Sequence, residues 1–389
     1  MTCDALSRDD WSMPRNARKA PEYKEKSAAP KLLAWYGKHA RVLPWRARNG
    51  AAADPYAVWL SEIMLQQTTV ATVGPYFTSF LKRWPTVEAL AEDPQDEVMK
   101  AWAGLGYYAR ARNMHACAKA ISSDHGGKFP EDLEGLGALP GIGPYTAAAI
   151  AAIAFGKRAT VVDGNVERVV ARLFDIETPL PKAKPEIRKA AETLTPDARA
   201  GDFAQAMMDL GATVCTPKSP ACNRCPINDL CDAHAHGTES LRPARAPKKP
   251  KPTRAGACFW LTREGHVWLR RRADKGLLGG MLEVPGTPWD RGDCHRTVKN
   301  LSQTGFDWAY PHAPLDAGWR LIPGLVTHSF THFDLELSVF TAATRKKLIP
   351  GGEGRWVPLD ELHGEALPTV MRKVAMHAMP EAGALFTKR

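Results

Sequence analysis

The chain has 389 residues, enough for two domains of ordinary size, and an apolar content of 44% allows a sizeable buried core. Its net charge of +10 favours a polyanionic partner. The longest apolar run, 147–155, is far shorter than the roughly 20 residues that span a bilayer, and the N-terminus lacks the apolar core of a signal peptide. We expect a cytoplasmic protein without a membrane partner, and we expect it to be a monomer.

Residues 1–29 are polar and mixed in charge, without periodicity, and we predict a disordered tail there. From 30 to 240, apolar segments alternate with Gly and Pro turns, and no run requires a strand. This part is predicted to be an all-α domain. Helices are expected over 30–37, 56–73, 76–84, 86–91, 96–103, 109–125, 145–155, 166–174, 185–195 and 201–212.

Glu62 is the unusual residue of the first long helix. Val58 and Trp59 lie about one turn before it, so the carboxyl borders an apolar stripe. Such a glutamate is usually a boundary residue that reaches water. If it is buried instead, desolvation raises its pKa and makes it a candidate general acid near neutral pH. The preceding Pro44-Trp45-Arg46 is equally compatible with a packing anchor.

A tight turn, Leu139-Pro140-Gly141-Ile142-Gly143, precedes the Ala-rich helix that starts at Tyr145. Glycines permit positive φ, and exposed N–H groups at a helix start can hold a phosphate. About twenty residues later, Asp163-Gly164-Asn165 leads into another helix. An ordinary helix connection and a purely stabilising N-cap are the competing interpretations of these two features.

Four cysteines close the helical part: Cys215, Cys222, Cys225 and Cys231. Four thiols within seventeen residues, interrupted by prolines, indicate a metal site in a reducing compartment, and the spacing alone leaves zinc or [4Fe–4S] open. The nearby Lys218 and Arg224 are candidates for phosphate contacts.

Residues 241–254 carry six basic residues and four prolines, which predicts an extended linker that also serves as a domain boundary. Beyond it the pattern changes to α+β over 255–385. Strands are expected over 257–262, 266–270, 333–341 and 354–358, and helices over 359–363 and 368–379.

Long motifs across about 30–379 resemble one family. The string Ser61 to Thr68 resembles the catalytic helix of MutY-type adenine DNA glycosylases, and the glycine turn resembles the helix-hairpin-helix of the endonuclease III superfamily. The cysteine spacing matches the [4Fe–4S] loop of those proteins, which favours the cluster over zinc. The C-terminal part resembles the MutT-like domain of the same family.

The resemblance implies a monofunctional glycosylase that removes adenine paired with 8-oxoguanine or guanine from double-stranded DNA. It implies that Glu62 is the general acid and that Asp163 stabilises the oxocarbenium-like sugar. The remaining roles are implied in the same way. Tyr145 and Asn165 would position the sugar, water or Asp163, and Trp45 and Arg46 would line the adenine pocket. Gln67 and Tyr107 would be wedge residues, which enter the base stack around the lesion. The DNA backbone would be held by Leu139, Gly141, Ile142 and Gly143, and 8-oxoguanine would be contacted by Phe330, Thr331 and His332.

Three alternative functions differ from this interpretation in the residues that they require. A bifunctional endonuclease III-type enzyme needs a lysine where Tyr145 stands. A non-catalytic iron–sulfur regulator would not need Glu62 and Asp163 together. A Nudix hydrolase would need an Arg-Glu-x-x-Glu-Glu run after Glu283, which the sequence lacks. One departure from the family is Thr331, where serine is usual; its hydroxyl is retained.

Overall fold

The structure is a computed structural model, and it describes residues 21–47, 51–247, 250–273, 276–289, 308–345, 354–380, 383 and 386. The chain divides into two compact units, Met1–Glu62 with Phe129–Pro247 and Ile63–Lys128 with Lys248–Arg389. The predicted domains divide the chain elsewhere, near 240 and 255, because periodicity does not reveal that 63–128 pack with C-terminal residues. Within the described part, no helix has both the length and the apolar character needed to cross a bilayer.

Helices dominate the described residues as far as 240. In chain order they are α1 (Pro21–His39), α2 (Pro55–Leu65), α3 (Val70–Arg83), α4 (Val87–Glu92), α5 (Gln95–Ala101), α6 (Ala109–Asp124), α7 (Leu133–Ala138), α8 (Pro144–Ile153), α9 (Gly164–Leu173), α10 (Lys184–Leu194), α11 (Ala200–Thr213), α12 (Asp232–His236) and, near the C-terminus, α13 (Thr369–Ala378).

The first helix begins at Pro21, so the predicted tail is wrong over 21–29; residues 1–20 lie outside the described residues. Ala28 and Leu32 are fully buried and extend the apolar face of α1 toward its start. Lys24 is also buried, and its Nζ donates to the carbonyl of Leu173 at 2.9 Å. Packing of this face explains why a polar segment folds here.

The predicted helix over 56–73 is interrupted. α2 ends at Leu65, and Thr69 caps α3 by accepting a hydrogen bond from the backbone N–H of Thr72. Between them Gln67 adopts φ 59°, a left-handed backbone that an α-helix does not continue. The turn separates Glu62 from Gln67, which the prediction placed on one helix.

The first unit is held by an apolar core to which α1, α9, α10 and α11 contribute. α8 is buried along almost its whole length, from Thr146 to Ala152. Small residues permit close helix packing: a Cβ added at Gly201 of α11 would lie 2.4 Å from the carbonyl oxygen of Ala152. These contacts fix α8 and α9, whose N-termini carry several predicted site residues.

The described residues of the second unit form a six-stranded sheet, in agreement with the predicted α+β class. The strands are β1 (Thr253–Arg263), β2 (His266–Arg271), β3 (Leu282–Glu283), β4 (Arg320–Ser329), β5 (Asp334–Ala343) and β6 (Gly354–Pro358). Their order is β3-β2-β1-β5-β4, with β6 also paired to β2; β1 and β5 are parallel and the other pairs antiparallel. α13 packs against this sheet through Val370, Met371 and Val374.

Two segments differ from the sequence-based expectation. β4 was not predicted, because Pro323 and Gly324 interrupt its pattern, and the structure accommodates them at a register shift between Ile322 and Val326. The predicted linker is not extended throughout. Arg242 is buried and pairs with Asp175 at 2.8 Å, so this part of the linker packs within the first unit.

Candidate active site

Glu62 of α2 is buried, with 7% of its surface exposed. The phenol of Tyr145 donates to its Oε2 at 2.7 Å from the first turn of α8. Burial raises the pKa of Glu62 to about 7; the Tyr145 hydrogen bond opposes this shift, and the charge of Asp163 adds to it. A carboxyl with this pKa is protonated in a large fraction of molecules at neutral pH and can deliver a proton.

Asp163 stands at the start of α9 as its N-cap. Oδ1 accepts from the backbone N–H groups of Asn165 (2.9 Å) and Val166 (2.7 Å), and Oδ2 accepts from the Asn165 side-chain amide at 2.8 Å. Three N–H donors fix the orientation of the carboxylate. The capping interpretation and a catalytic role are therefore compatible, since the charge of Asp163 also reaches Glu62 and Tyr145.

Arg168, one turn further along α9, was missed by the sequence analysis. Its Nη2 donates to Asn165 Oδ1 (2.9 Å) and to the carbonyl of Gly211 (2.6 Å), and its Nε donates to the carbonyl of Cys215 (2.7 Å). These bonds connect the Asp163 cap to the beginning of the cysteine loop. The i to i+3 spacing from Asn165 was the available sequence signal.

Arg46 forms a buried ion pair with Asp209. Its guanidinium donates to both carboxylate oxygens of Asp209, at 2.6 and 2.8 Å, and Arg41 also pairs with this aspartate. Asp209 is fully buried, and the bonds from the arginines outweigh the effect of burial and lower its pKa. Because Asp209 lies 163 residues from Arg46, no sequence signal could have found it. The adenine-pocket role of Trp45 and Arg46 stays a prediction.

The hairpin has the predicted turn between α7 and α8. Gly141 adopts φ 75°, and the backbone N–H of Ile142 donates to the carbonyl of Leu139. The side chains of Leu139 and Ile142 are buried, whereas Gly141 and Gly143 are exposed. The two apolar residues anchor the turn, so any contact with a phosphate has to come from its backbone.

The predicted wedge residues Gln67 and Tyr107 lie in the second unit. Both are exposed, and both have left-handed backbones, with φ 59° and 48°. The predicted 8-oxoguanine loop is the turn between β4 and β5. Phe330 packs against Phe333, with ring centroids 4.8 Å apart, whereas the neighbouring residues at the tip, Thr331 and His332, are exposed.

The four cysteines of the loop are partly buried, and Cys215, Cys225 and Cys231 pack against the apolar core of the first unit. Burial raises the pKa of Cys225 to about 12 and that of Cys231 to about 11, and the charges of Cys215 and Cys222 add to both shifts. An N–H of Arg172 also donates to Cys215 Sγ at 3.3 Å. Four sulfur donors in a confined loop fit an iron–sulfur cluster: Cys215, Cys222, Cys225 and Cys231 would hold it as thiolates, and the cluster would tie the loop together.

Comparison with known proteins agrees with this arrangement. Residues 60–197 match the HhH-GPD superfamily of base excision DNA repair proteins, 215–231 match the iron–sulfur binding domain of endonuclease III, and 257–377 match the NUDIX domain. The chain is 37% identical to an adenine DNA glycosylase of Homo sapiens, over 88% of this chain and 72% of that protein. The chain belongs to the adenine DNA glycosylase family. Another member, from Buchnera aphidicola subsp. Schizaphis graminum, is 30% identical over 88% of this chain and 96% of its own length.

Membership of the adenine DNA glycosylase family confirms several predictions. The protein is a DNA glycosylase of base excision repair, it binds DNA, and its cysteine loop is an iron–sulfur site, as the [4Fe–4S] prediction required. The helix-hairpin-helix domain followed by a Nudix-like domain is also confirmed.

Proposed function

We propose that the enzyme removes adenine paired with 8-oxoguanine or guanine, with Glu62 as general acid and Asp163 as the group that stabilises the sugar cation. The observation that carries the proposal is the burial of Glu62 under the phenol of Tyr145, which leaves its pKa at about 7. Adenine leaves readily only after protonation, and the resulting oxocarbenium-like sugar needs a nearby negative charge.

The two carboxyl groups differ in the way that this reaction requires. Glu62 is buried and accepts one hydrogen bond from a neutral phenol, whereas Asp163 accepts three N–H hydrogen bonds that hold its carboxylate in a fixed orientation. The first group suits proton donation, and the second suits charge stabilisation. Asn165 then acts by holding Asp163 in place.

Recognition of the base opposite adenine is assigned to the β4–β5 turn. Lys373 Nζ donates to the carbonyl of Thr327 at 2.8 Å, and Lys251 Nζ donates to that of Phe330 at 2.7 Å. The turn is therefore braced on both sides, while the Thr331 hydroxyl and the His332 ring stay exposed. Phe330 supports the turn by packing, and Thr331 and His332 are the residues that contact the base opposite adenine.

The test uses duplexes that carry adenine opposite each normal base and opposite 8-oxoguanine, followed by alkali and a denaturing gel. We expect excision opposite 8-oxoguanine and guanine, with retention of duplex binding but near-complete loss of excision in Glu62→Gln. The double variant Thr331→Ala/His332→Ala should reduce the preference for 8-oxoguanine and spare excision opposite guanine. An equal loss of excision opposite 8-oxoguanine and opposite guanine would show that the turn does not recognise the lesion.

The proposal includes a monofunctional reaction, because strand cleavage by a glycosylase needs an amine that attacks C1′ and forms an imine. Where such an amine would have to stand, this chain has the phenol of Tyr145, whose hydroxyl donates a hydrogen bond to Glu62. Wild-type protein should leave an intact abasic site, and borohydride should trap little adduct. Tyr145→Lys should gain trapping at a reduced excision rate. Strand cleavage by the wild type without alkali would contradict the monofunctional assignment.

A further inference from the structure

Arg110, in the first turn of α6, joins two turns that are distant in sequence. Its Nη1 donates to the carbonyls of Ile63 (2.8 Å) and Met64 (2.9 Å) in the last turn of α2. Its Nη2 donates to the carbonyls of Leu105 (2.9 Å) and Gly106 (3.2 Å). One guanidinium therefore fixes backbone atoms of two separate segments.

The two segments are those that present Gln67 and Tyr107. Arg110 Nη2 also donates to the hydroxyl of Thr68, the next residue after Gln67, at 3.3 Å. A left-handed backbone is unfavourable for a non-glycine residue, so it persists only where the surroundings determine it. Next to Gln67 and next to Tyr107, the chain carries carbonyl or hydroxyl groups that accept hydrogen bonds from Arg110.

The charge of Arg110 is poorly compensated. Among the described residues no carboxylate pairs with it, and its buried Nε has no hydrogen-bond partner. Burial lowers its pKa to about 10, and the rings of Trp102 (5.0 Å) and Tyr107 (5.8 Å) are its aromatic neighbours. A cation without an acidic partner is a costly way to stabilise a fold. The planar guanidinium group, however, carries five N–H donors in a rigid arrangement and can therefore hold several carbonyl oxygens at once.

We propose that Arg110 is the positioning residue that sets the spacing of Gln67 and Tyr107, so that the two side chains enter the DNA base stack as one unit. This inference rests on the proposed function, in which these two residues are the wedge. Arg110 itself does not contact DNA in this arrangement. It acts by holding the end of α2 and the turn before α6 at a fixed separation.

The proposal predicts that charge alone is insufficient. A lysine supplies a single ammonium in place of the planar fork, so it cannot hold the carbonyls of both turns. Arg110→Lys should fold with a Tm close to that of the wild type but leave the wedge poorly defined. Arg112→Met is the matched control, because Arg112 lies on the same helix and donates to the carbonyl of Gly279 instead.

The experiment combines single-turnover excision with the fluorescence of 2-aminopurine placed beside the target adenine, in full-length protein with its cluster. We expect Arg110→Lys to lose most of the fluorescence increase and to slow excision about tenfold or more, as small misplacements do. Arg112→Met should keep the fluorescence increase. Adding Arg110→Lys to Gln67→Ala/Tyr107→Ala should slow excision no further, since Arg110 acts through those two residues.

Two results with variants of Arg110 would overturn the inference. One is a wild-type fluorescence increase in Arg110→Lys, and the other is a further tenfold loss in the triple variant, which would place the action of Arg110 elsewhere. If Gln67→Ala/Tyr107→Ala itself excises like the wild type, the wedge assignment fails and the inference fails with it. The assignment of Glu62 and Asp163 is independent of that outcome, because Glu62→Gln tests it separately.

Discussion

Glu62 determines the pH dependence expected of the reaction. Its protonated form is the proton donor, and its pKa is raised to about 7. The single-turnover excision rate should be level at low pH and fall about tenfold per pH unit well above 7. A gel assay between pH 5.5 and 9 measures this profile, and Glu62→Gln should show low activity without the decline. A rate that rises through pH 7 would assign Glu62 as a base instead.

The same shift predicts that Glu62 destabilises the fold at high pH. The folded carboxyl has a pKa of about 7 against 4.5 for an unperturbed one, so between these values the folded state binds more protons. The free energy of unfolding therefore decreases as pH rises through this window, by on the order of 3 kcal/mol. Glu62→Gln should have a higher Tm than the wild type at pH 8, with a difference that vanishes near pH 4.5. Equal Tm values at pH 8 would contradict burial of the charged form.

Individual site residues were predictable from the sequence to different degrees. The string around Glu62 was sufficient to nominate it by resemblance, but periodicity left its burial open. Tyr145, 83 residues away, supplies the hydrogen bond, and only the folded chain brings the two together. Arg110 was passed over because an arginine in a first helical turn is ordinary; its importance depends on carbonyls at four other positions.

At the scale of helices, the contact between α11 and α9 bears directly on the site. Gly211 of α11 packs on Asn165, and a Cβ added there would lie 2.6 Å from the Asn165 Cβ and 3.1 Å from its Cα. Gly211→Ala should displace Asn165 and with it Asp163, lowering Tm by the equivalent of roughly 1–3 kcal/mol and slowing excision. Thermal unfolding and single-turnover assays measure the two effects.

Gly37 of α1 provides the control for that substitution. It is also a helical glycine, but among the described residues a Cβ added there meets nothing within 4 Å. Gly37→Ala should leave excision unchanged and stabilise the protein by up to about 1 kcal/mol through helix propensity. If Gly211→Ala behaved like Gly37→Ala, the packing of α11 would not position Asn165.

Elements with strong, uninterrupted patterns were predicted well, and those with mixed signals were not. The buried run of α8 and the alternation of β5 gave correct element types. β4 was missed because Pro323 and Gly324 are unfavourable in strands, and the start of α1 was missed because its first turns are polar. In both cases contacts with distant parts of the chain stabilise the element, and a local sequence pattern carries no information about those contacts.

At the scale of the whole molecule, the compact units and the predicted domain boundaries are different divisions of the chain. Composition marks the linker near 241–254, yet 63–128 belong to the same compact unit as the C-terminal residues. Within that unit Arg112 donates to the carbonyl of Gly279, and Arg271 pairs with Asp96 at 3.3 Å. Such contacts join segments about 170 residues apart, and single charged residues leave no periodic signal for them.

Net charge makes a prediction for the whole molecule. With +10 charges and DNA as its partner, the enzyme should bind duplex with an affinity that falls as a power of salt concentration, with a slope of about −0.9 per phosphate contacted. Lys218 and Arg224 are exposed on the cysteine loop, and they are the proposed phosphate contacts there. Lys184 serves as the control, because it is paired with Glu167 at 3.4 Å.

Binding is measured by fluorescence anisotropy between 50 and 200 mM salt in the Glu62→Gln background, so that the substrate stays intact. Lys218→Ala and Arg224→Ala should each reduce the slope by about 1 and weaken binding similarly for lesion and normal duplexes, since phosphate contacts carry no sequence information. Lys184→Ala should leave the slope unchanged. If the two loop variants also keep the wild-type slope, the cysteine loop lies outside the DNA interface and its function is confined to stabilising the first unit.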